Sequence, residues 1–187
     1  MVRATREDAG AGLTVIVGLV GERRLWMASD SMVSEGSITI ESKDPKIRRV
    51  ATGLLIGAAG SSVGCDFYLD WDWSGFSEDQ DAGTYLKEQR NAMRLTRKSK
   101  EIGADLLICA GSDVYAIDGD YGFTTYRSPY GSIGSGSDVA LGVLYATEGR
   151  GKSVGTRKRI DLVLRACSSL VHGCGGADTV LSTRRGF

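Results

Sequence analysis

Three polar side chains stand at the ends of apolar segments and could do chemistry together. Thr14 opens the run TVIVGLV, Asp30 closes RLWMASD, and Lys46 opens KIRRV. A hydroxyl is a weak nucleophile at its own pKa, so it needs a base and nearby positive charge to favour the alkoxide. Threonine, aspartate and lysine together meet that need. Taken alone, Thr14 and Asp30 are also typical of strand ends, where polar residues simply end the burial.

Two strands must position the threonine and the aspartate. The segments 14–20 and 24–30 are joined by the short sequence GER, which predicts an antiparallel hairpin. A three-residue loop places Thr14 opposite Asp30, with their Cβ atoms about 5 Å apart. A two-residue loop would instead pair Thr14 with Ser29, because the register follows the turn.

The remaining chain alternates strand and helix patterns. The turn residues ESKDP predict a second hairpin between 37–40 and 46–50. Further segments read as a core strand (54–60), a helix (61–71), an amphipathic helix (81–100), a β-meander (104–127), two helices (137–149 and 156–173) and a closing strand, DTVLST. The apolar stripes of two helices are Tyr85, Leu86, Met93 and Leu95, and Ile160, Val163, Leu164, Cys167, Leu170 and Val171. This order predicts an α+β fold in which two antiparallel sheets, each burying one face on the other, lie between helix layers.

Charge and hydrophobicity exclude several function classes. The 187 residues include 23 basic and 23 acidic side chains, so no overall field attracts nucleic acid or an anionic membrane. The basic clusters at 94–100 and 156–159 have helical spacing and are interpreted as solvated faces. The N-terminal sequence lacks the apolar core of a secretory signal, and no apolar run is long enough to span a membrane. We therefore expect a cytoplasmic protein with neither a nucleic-acid nor a membrane partner.

Cysteine and histidine are too sparse for most metal sites. The four cysteines, at 65, 109, 167 and 174, show no CxxC spacing, and His172 is the single histidine. Buried free thiols are the expected state, and we expect no metal or cofactor. A Ser-His or Cys-His nucleophile would have to recruit that one histidine.

Several motifs in chain order resemble a known family. TVIVGLV, ASDS, KIRRV and IGAAGSS within 14–62, followed by SIGSGSDVALGVLYA at 132–146, resemble the catalytic β-subunits of the proteasome and their bacterial HslV-like ring-protease relatives. These relatives are N-terminal nucleophile (Ntn) hydrolases with an αββα sandwich fold, which agrees with the element order. Alone, the loop GSIGSGSD would also suit a small phosphate-binding module, but no Lys-Ser/Thr follows it.

The resemblance implies a role for each matching residue. Thr14 would be the nucleophile, and its α-amine would be the general base once exposed, because a free α-amine has a pKa of about 8 whereas an amide nitrogen is no base. Lys46 would stabilise the developing alkoxide, and Asp30 would hold both Lys46 and the Thr14 backbone. The amide of Gly60 would donate to the oxyanion, and Ser135 would complete the hydrogen bonds around the amine.

The same resemblance implies a division of the chain into two parts. The chain also differs from the family pattern at two places. Residues 1–13 would be a propeptide, and 14–187 a single Ntn-hydrolase domain. Relatives usually have glycine before the threonine, where this chain has Leu13, so self-processing is expected to be slow, absent or completed elsewhere in GAGL. If CGG at 174–176 is the matching place, Val171 and Cys174 stand where many relatives carry an aspartate and a serine.

Three further positions fall where relatives shape the first specificity pocket. They are Val33, Ala58 and Ser62, which are small and mostly apolar. Such a pocket would accept an apolar side chain before the scissile bond. The alternative is that these residues simply pack in the core.

The resemblance implies a threonine-type endopeptidase that degrades unfolded polypeptides inside a chamber. Such enzymes form homo-oligomeric rings, hexameric or heptameric and stacked, and receive substrates from an ATP-dependent unfoldase or activator. A second reading is a non-catalytic or dormant ring or scaffold subunit, which Leu13 and the replaced residues would suit. A third is an Ntn amidase or transpeptidase acting on one specific small substrate.

Overall fold

Central strands that are apolar and buried on both faces build two antiparallel sheets whose inner faces pack on each other. The computed structural model of the protein describes residues 13–35, 38–98, 100–148 and 154–185. Residues 1–12 of the candidate propeptide lie outside the described residues. Within the part that is described, no helix combines the length and the apolar character needed to cross a membrane.

The elements follow the predicted order of strands, two helices, strands, two helices and a strand. In chain order they are β1 (Ile16–Val20), β2 (Arg24–Ser29), β3 (Met32–Glu35), β4 (Ile38–Glu41), β5 (Ile47–Ala51), β6 (Leu54–Gly60), α1 (Ser62–Leu69), α2 (Ala82–Thr96), β7 (Ala104–Ala110), β8 (Asp113–Ile117), β9 (Phe123–Thr125), β10 (Tyr130–Ile133), α3 (Ser137–Thr147), α4 (Thr156–Leu170) and β11 (Thr179–Arg184). The predicted helices and the β-meander are confirmed. The sequence analysis does not predict β3 or β10.

The strands form two main sheets and a small hairpin. The first sheet has the order β10-β1-β2-β11, and the second has the order β5-β6-β7-β8-β9. Neighbouring strands in both sheets run antiparallel. The two-stranded sheet consists of β3 and β4.

Three groups of buried side chains show that the layers stack as helices, sheet, sheet and helices. The group between the two sheets includes Ile16, Leu25, Met27, Ile47, Leu55, Leu107, Cys109 and Val114. The group between the first sheet and helices α3 and α4 includes Val15, Val17, Leu19, Ala140, Leu144, Ile160 and Val163. The group between the second sheet and helices α1 and α2 includes Leu54, Ile56, Leu106, Ile108, Tyr68, Leu86 and Met93. Each fully buried leucine or isoleucine stabilises this arrangement by roughly 1.5–3 kcal/mol, and the predicted four-layer αββα sandwich is confirmed.

The predicted pairing of 37–40 with 46–50 is wrong. Strand β4 pairs with β3 in the register Val33 to Ile40, whereas β5 pairs with β6 in the register Ile47 to Gly57. The turn residues ESKDP therefore connect two different sheets. The turn residues correctly predicted a connection between β4 and β5. However, β4 pairs with β3, the strand before it in the chain, and not with β5.

The predicted register of the first hairpin is also wrong, by one residue. Val20 pairs with Leu25, and the Gly21 amide donates to the Arg24 carbonyl at 2.8 Å, which closes a longer turn than either loop considered. Asp30 consequently falls opposite Val15, whose carbonyl oxygen accepts the Asp30 amide at 3.3 Å. Thr14 lies one residue before that pair and precedes the strand.

Two stripe residues at helix ends face solvent rather than the core. Leu95 near the end of α2 is 78% exposed, and Leu170 at the end of α4 is 73% exposed. Both lie in the final turns of their helices. The other apolar positions predicted for α2 are buried.

Candidate functional site

The carboxylate of Asp30 is held in place by main-chain amides from two separate segments. Val15 N donates to Asp30 Oδ1 and Gly175 N donates to Asp30 Oδ2, each at 3.1 Å. The side chain is 2% exposed. Because a buried carboxylate needs hydrogen-bond donors to offset its desolvation, these two amides account for the burial of Asp30 and fix the position of its side chain.

Lys46 brings a positive charge to the Thr14 hydroxyl. Its Nζ lies 2.8 Å from Asp30 Oδ1, and the lysine side chain is 8% exposed. The same ammonium donates to Thr14 Oγ1 and to the carbonyl oxygen of Met32. Thr14 Oγ1 in turn lies 3.3 Å from Asp30 Oδ1. The hydroxyl oxygen therefore sits against a cation, and this arrangement favours an alkoxide.

Ser135 contacts the main-chain nitrogen of Thr14. Thr14 N donates to Ser135 Oγ at 3.1 Å, and the Ser135 hydroxyl lies 3.3 Å from the Thr14 carbonyl oxygen, which it can reach as a donor. The Gly136 amide also donates to that carbonyl oxygen at 3.0 Å. Gly134, with φ of +88°, allows this approach because a Cβ there would lie 2.5 Å from the same oxygen. The loop between β10 and α3 thus holds both ends of the Thr14 main chain.

The CGG segment closes the site from the C-terminal side. Cys174 Sγ lies 4.0 Å from Ser135 Oγ, and the thiol side chain is buried. Burial raises the pKa of this thiol, with the Asp30 charge adding to the effect. The other replaced residue, Val171, caps the end of α4 and packs, half-buried, against the core beneath that helix.

Gly60 lies at the end of β6, on the opposite sheet from Thr14. Its φ of +138° is in a region that favours glycine, and a Cβ would lie 2.5 Å from Ala104 Cα. Gly60 and Ser135 line a common cavity of about 480 Å³ between the sheets. The oxyanion role of the Gly60 amide stays a prediction.

The three predicted pocket residues occupy different environments. Val33 is half-buried in β3, directly after Met32, and Ser62 is exposed at the first position of α1. Ala58 is 1% exposed and packs in the core between the second sheet and its helices. The role of all three in a substrate pocket stays a prediction, and Ala58 also satisfies the alternative of core packing.

Leu13, the residue before the candidate nucleophile, is half-buried against Gly173. The position of a Cβ on Gly173 would lie 2.6 Å from Leu13 Cβ, so only glycine leaves room for the leucine. Gly173 has φ of +79°, which also favours glycine. The turn after α4 therefore accommodates Leu13.

The sequence analysis did not predict two main-chain groups of this site. The Met32 carbonyl and the Gly175 amide contact Lys46 and Asp30, but every residue carries such groups and no residue type marks them. Only the predicted match of CGG to the end of the penultimate helix pointed towards Gly175. Among the described residues, no group of three or more His, Cys, Asp or Glu side chains is arranged to hold a metal ion.

Comparison with known proteins identifies the fold. No family model matches the sequence, and no curated protein matches it. The structure of Thiobacillus denitrificans BPH in complex with epoxomicin superposes with a TM-score of 0.76 at 17% identity, covering 91% of this chain and 98% of that chain. A second structure of T. denitrificans BPH gives 0.75 at 17% identity, covering 91% and 97%. The eukaryotic HslV from Trypanosoma brucei gives 0.67 at 19% identity, covering 91% and 99%.

The chain has the proteasome-type Ntn-hydrolase fold. This confirms the fold that the sequence resemblance implied, since the neighbouring structures are of the HslV and proteasome type. At these identities the likeness concerns the fold, and the roles of individual residues rest on the geometry described above.

Proposed function

We propose that the protein is a threonine-type endopeptidase whose nucleophile is Thr14 after removal of residues 1–13. One observation carries the proposal: the Thr14 hydroxyl contacts Lys46 Nζ and Asp30, while the Thr14 nitrogen contacts Ser135. A residue that served only to end a strand would not need a cation at its hydroxyl and an acceptor at its nitrogen. Residues 14–187 form the single catalytic domain.

Activation would be an acyl shift at the Leu13–Thr14 bond. Thr14 Oγ1 attacks the Leu13 carbonyl carbon, the C–N bond breaks, and the hydroxyl proton passes through water to the departing nitrogen. Water then hydrolyses the resulting ester, which releases residues 1–13 with a new carboxylate. The products are a restored Thr14 hydroxyl and a free α-amine.

Peptide cleavage would use that amine as the base. With a pKa of about 8, it accepts the Oγ1 proton as Oγ1 attacks the scissile carbonyl. Lys46 stabilises the negative charge on Oγ1, and the Gly60 amide donates to the carbonyl oxygen as it becomes an oxyanion. The amine then gives the proton to the leaving nitrogen, and water hydrolyses the acyl-enzyme ester.

The assembly that we propose is the one that the resemblance to HslV-like ring proteases implies. Homo-oligomeric rings, hexameric or heptameric and stacked, would enclose the sites and admit unfolded polypeptides delivered by an ATP-dependent unfoldase or activator. We place this assembly in the cytoplasm. Rings keep such a nucleophile away from folded proteins.

The test is the intact mass and N-terminal sequence of the purified full-length chain. We expect the wild-type chain to begin at Thr14, and the Thr14→Ala chain to retain residues 1–13. Thr14→Ser is the matched control, because serine keeps a hydroxyl and should still be processed. Epoxomicin, present in one of the T. denitrificans BPH structures, supplies a second readout and should bind the processed chain but not Thr14→Ala.

Other outcomes favour the competing readings. If the wild-type and Thr14→Ala chains keep the same N-terminus, the amine remains in an amide and the protein is a dormant or scaffold subunit. If Thr14 is exposed but mixed peptide substrates are not cleaved, the amidase or transpeptidase reading replaces the endopeptidase.

A further inference from the structure

The cavity beside Gly60 and Ser135 extends into the space between the two sheets. It has a volume of about 480 Å³, within the range of roughly 300–1,000 Å³ that ligand pockets occupy. Its walls include an apolar side chain, an aromatic side chain and two carboxylates: Ile133, Tyr126, Asp105 and Asp118. It adjoins the candidate nucleophile, since its Gly134 and Ser135 walls contact Thr14.

Asp105 is solvent-exposed, and it lies near the start of β7 on the face that looks towards the other sheet. Alternation along β7 puts Asp105 on the same face as Leu107 and Cys109, which pack between the sheets. Its partner across the ladder is the small Ala59. Neither Asp105 nor Ala59 is a large apolar residue that would fill the space between the sheets here, and both line the cavity.

The Asp105 carboxylate has one main-chain donor and no cation. Oδ1 accepts the Gly119 amide at 3.2 Å, and among the described residues no ion pair includes Asp105. Although Asp105 is exposed, partial desolvation by the surrounding protein raises the pKa of its carboxyl, the Gly119 amide opposes this, and the nearby charge of Asp118 raises the pKa further. A bound cation would relieve both effects.

The neighbouring Asp118 is already engaged by its own loop. Its Oδ1 accepts the amides of Asp120 at 3.0 Å and Gly122 at 2.7 Å. Asp118 therefore adds negative charge to the cavity but is fixed by the turn after β8. Among the described residues each of the two carboxylates keeps its Oδ2 for a ligand, and Asp105 is the one on the strand face that looks towards the other sheet.

The geometry also indicates which part of a substrate would reach the cavity. The amine that takes the hydroxyl proton must return it to the leaving nitrogen, so the leaving segment lies on the amine side of Thr14. Ser135 contacts that nitrogen and lines the cavity. Met32, next to Val33 of the predicted first pocket, instead contacts the hydroxyl side. The cavity thus faces the residues that follow the scissile bond.

We propose that this cavity receives a lysine or arginine side chain located on the C-terminal side of the scissile bond, with Asp105 binding its charged group. The inference rests on the proposed peptidase function and specifies its substrate preference. Ile133 and Tyr126 would pack along the aliphatic stem, while the cationic head reaches the carboxylate.

The test compares matched peptides on protein whose N-terminus has been verified as Thr14. The internally quenched peptides share one sequence and differ only after the scissile bond, where they carry lysine, glutamine or norleucine. We expect kcat/KM for the lysine peptide to exceed that for norleucine by about fivefold, an advantage that high salt reduces. Asp105→Asn keeps the acceptor for Gly119 and should bring the ratio close to one.

Asp120→Asn is the matched control, because this exposed carboxylate lies in the adjacent turn and does not line the cavity. It should leave the lysine preference intact. A coumarin-amide reporter with the same acyl part has no amino acid after the scissile bond and reports on the nucleophile alone. If the reporter is hydrolysed but lysine gives no advantage, or Asp105→Asn keeps that advantage, the inference is overturned while the peptidase stands. If the reporter is not hydrolysed at all, the proposed function fails and the inference falls with it.

Discussion

Lys46 Nζ lies 2.8 Å from Asp30 Oδ1, and the two side chains are only 8% and 2% exposed. A buried pair of this kind contributes little compared with apolar packing, but breaking it leaves an uncompensated charge. We therefore expect Lys46→Met to lower the free energy of unfolding by about 3–5 kcal/mol and to abolish self-processing. Urea denaturation and N-terminal sequencing measure the two effects.

Arg157→Met is the control for that prediction. Arg157 pairs with Asp161 at 2.9 Å, but both side chains are largely solvated, at 59% and 47% exposure. Its loss should cost about 0.5 kcal/mol. A Lys46→Met cost no greater than the Arg157→Met cost would show that the buried pair does not require its cation.

Removal of the Ser135 hydroxyl should slow catalysis by changing the base rather than the nucleophile. In Ser135→Ala, the Thr14 nitrogen loses the acceptor that it contacts at 3.1 Å. We expect kcat/KM of the processed chain to fall about tenfold, with a displaced pH–rate profile. Ser112→Ala, in an exposed turn between β7 and β8, should change neither quantity. An unchanged pH profile in Ser135→Ala would remove Ser135 from the proton transfer.

The contact of Leu13 with Gly173 gives a prediction for the precursor. In a Thr14→Ala background, which keeps Leu13, Gly173→Ala should lower stability by about 1–2 kcal/mol because of φ +79° and the crowded leucine. Adding Leu13→Gly should make the Gly173→Ala cost smaller, and the difference measures the contact. Thermal or urea unfolding of the four variants tests this.

Gly142→Ala is the matched substitution for that set. Gly142 lies inside α3, and no atom would contact its Cβ within 4 Å. Alanine there should stabilise the protein by about 0.5–1 kcal/mol. If the Gly173→Ala cost is the same with and without the Leu13→Gly substitution, backbone strain alone explains it and the precursor contact is not significant.

The cysteines should react slowly and in an order set by burial. Burial raises the pKa of Cys65 to about 11 and the pKa of Cys109 to about 12. Cys65 is half-buried, whereas Cys109 is completely buried. We expect iodoacetamide at neutral pH to modify Cys65 first and Cys109 only after denaturation, as followed by peptide mass mapping. Equal rates at the two sites in the folded protein would contradict this order.

The same shifts predict lower stability at alkaline pH. An unfolded thiol ionises near pH 8.5, whereas the folded Cys109 thiol has a pKa of about 12. Between these values the folded state holds the proton that the unfolded state has lost, so the free energy of unfolding falls as pH rises. Cys109→Ala should have a shallower pH dependence than the wild type. The same slope in both proteins would show that Cys109 does not contribute.

Local patterns predicted most of the secondary structure but not all of its pairings. Helical spacing identified α2 and α4, because their apolar stripes repeat every three to four residues. Leu95 and Leu170 fit those stripes yet face solvent, since the burial of a side chain depends on the assembled fold and is not a local property. The strand pairing of β4 failed for a similar reason, because β3 and β5 are both within reach and only the assembled sheets select between them.

The candidate site was likewise predicted in part from the sequence and decided in part by the tertiary structure. Residue types and the family resemblance predicted one site made of Thr14, Asp30, Lys46, Gly60 and Ser135. The structure brings Thr14, Asp30, Lys46 and Ser135 into contact, and the role of Gly60 stays a prediction. A register predicted from a turn was wrong by one residue, and yet the aspartate reaches the threonine, because its side chain crosses from the position opposite Val15.

The sequence alone predicted the helices and the element order of the fold, because these depend on residue type and on short periodic patterns, and its resemblance to a known family supplied the nucleophile candidate. The tertiary structure alone decided that Gly175 N reaches Asp30, that Gly173 makes room for Leu13, and that Asp105 faces a cavity. Each of these contacts joins segments distant in the chain through main-chain groups or empty space. Main-chain contacts and cavities cannot be recognised from the order of residue types, because they form only when the two sheets pack.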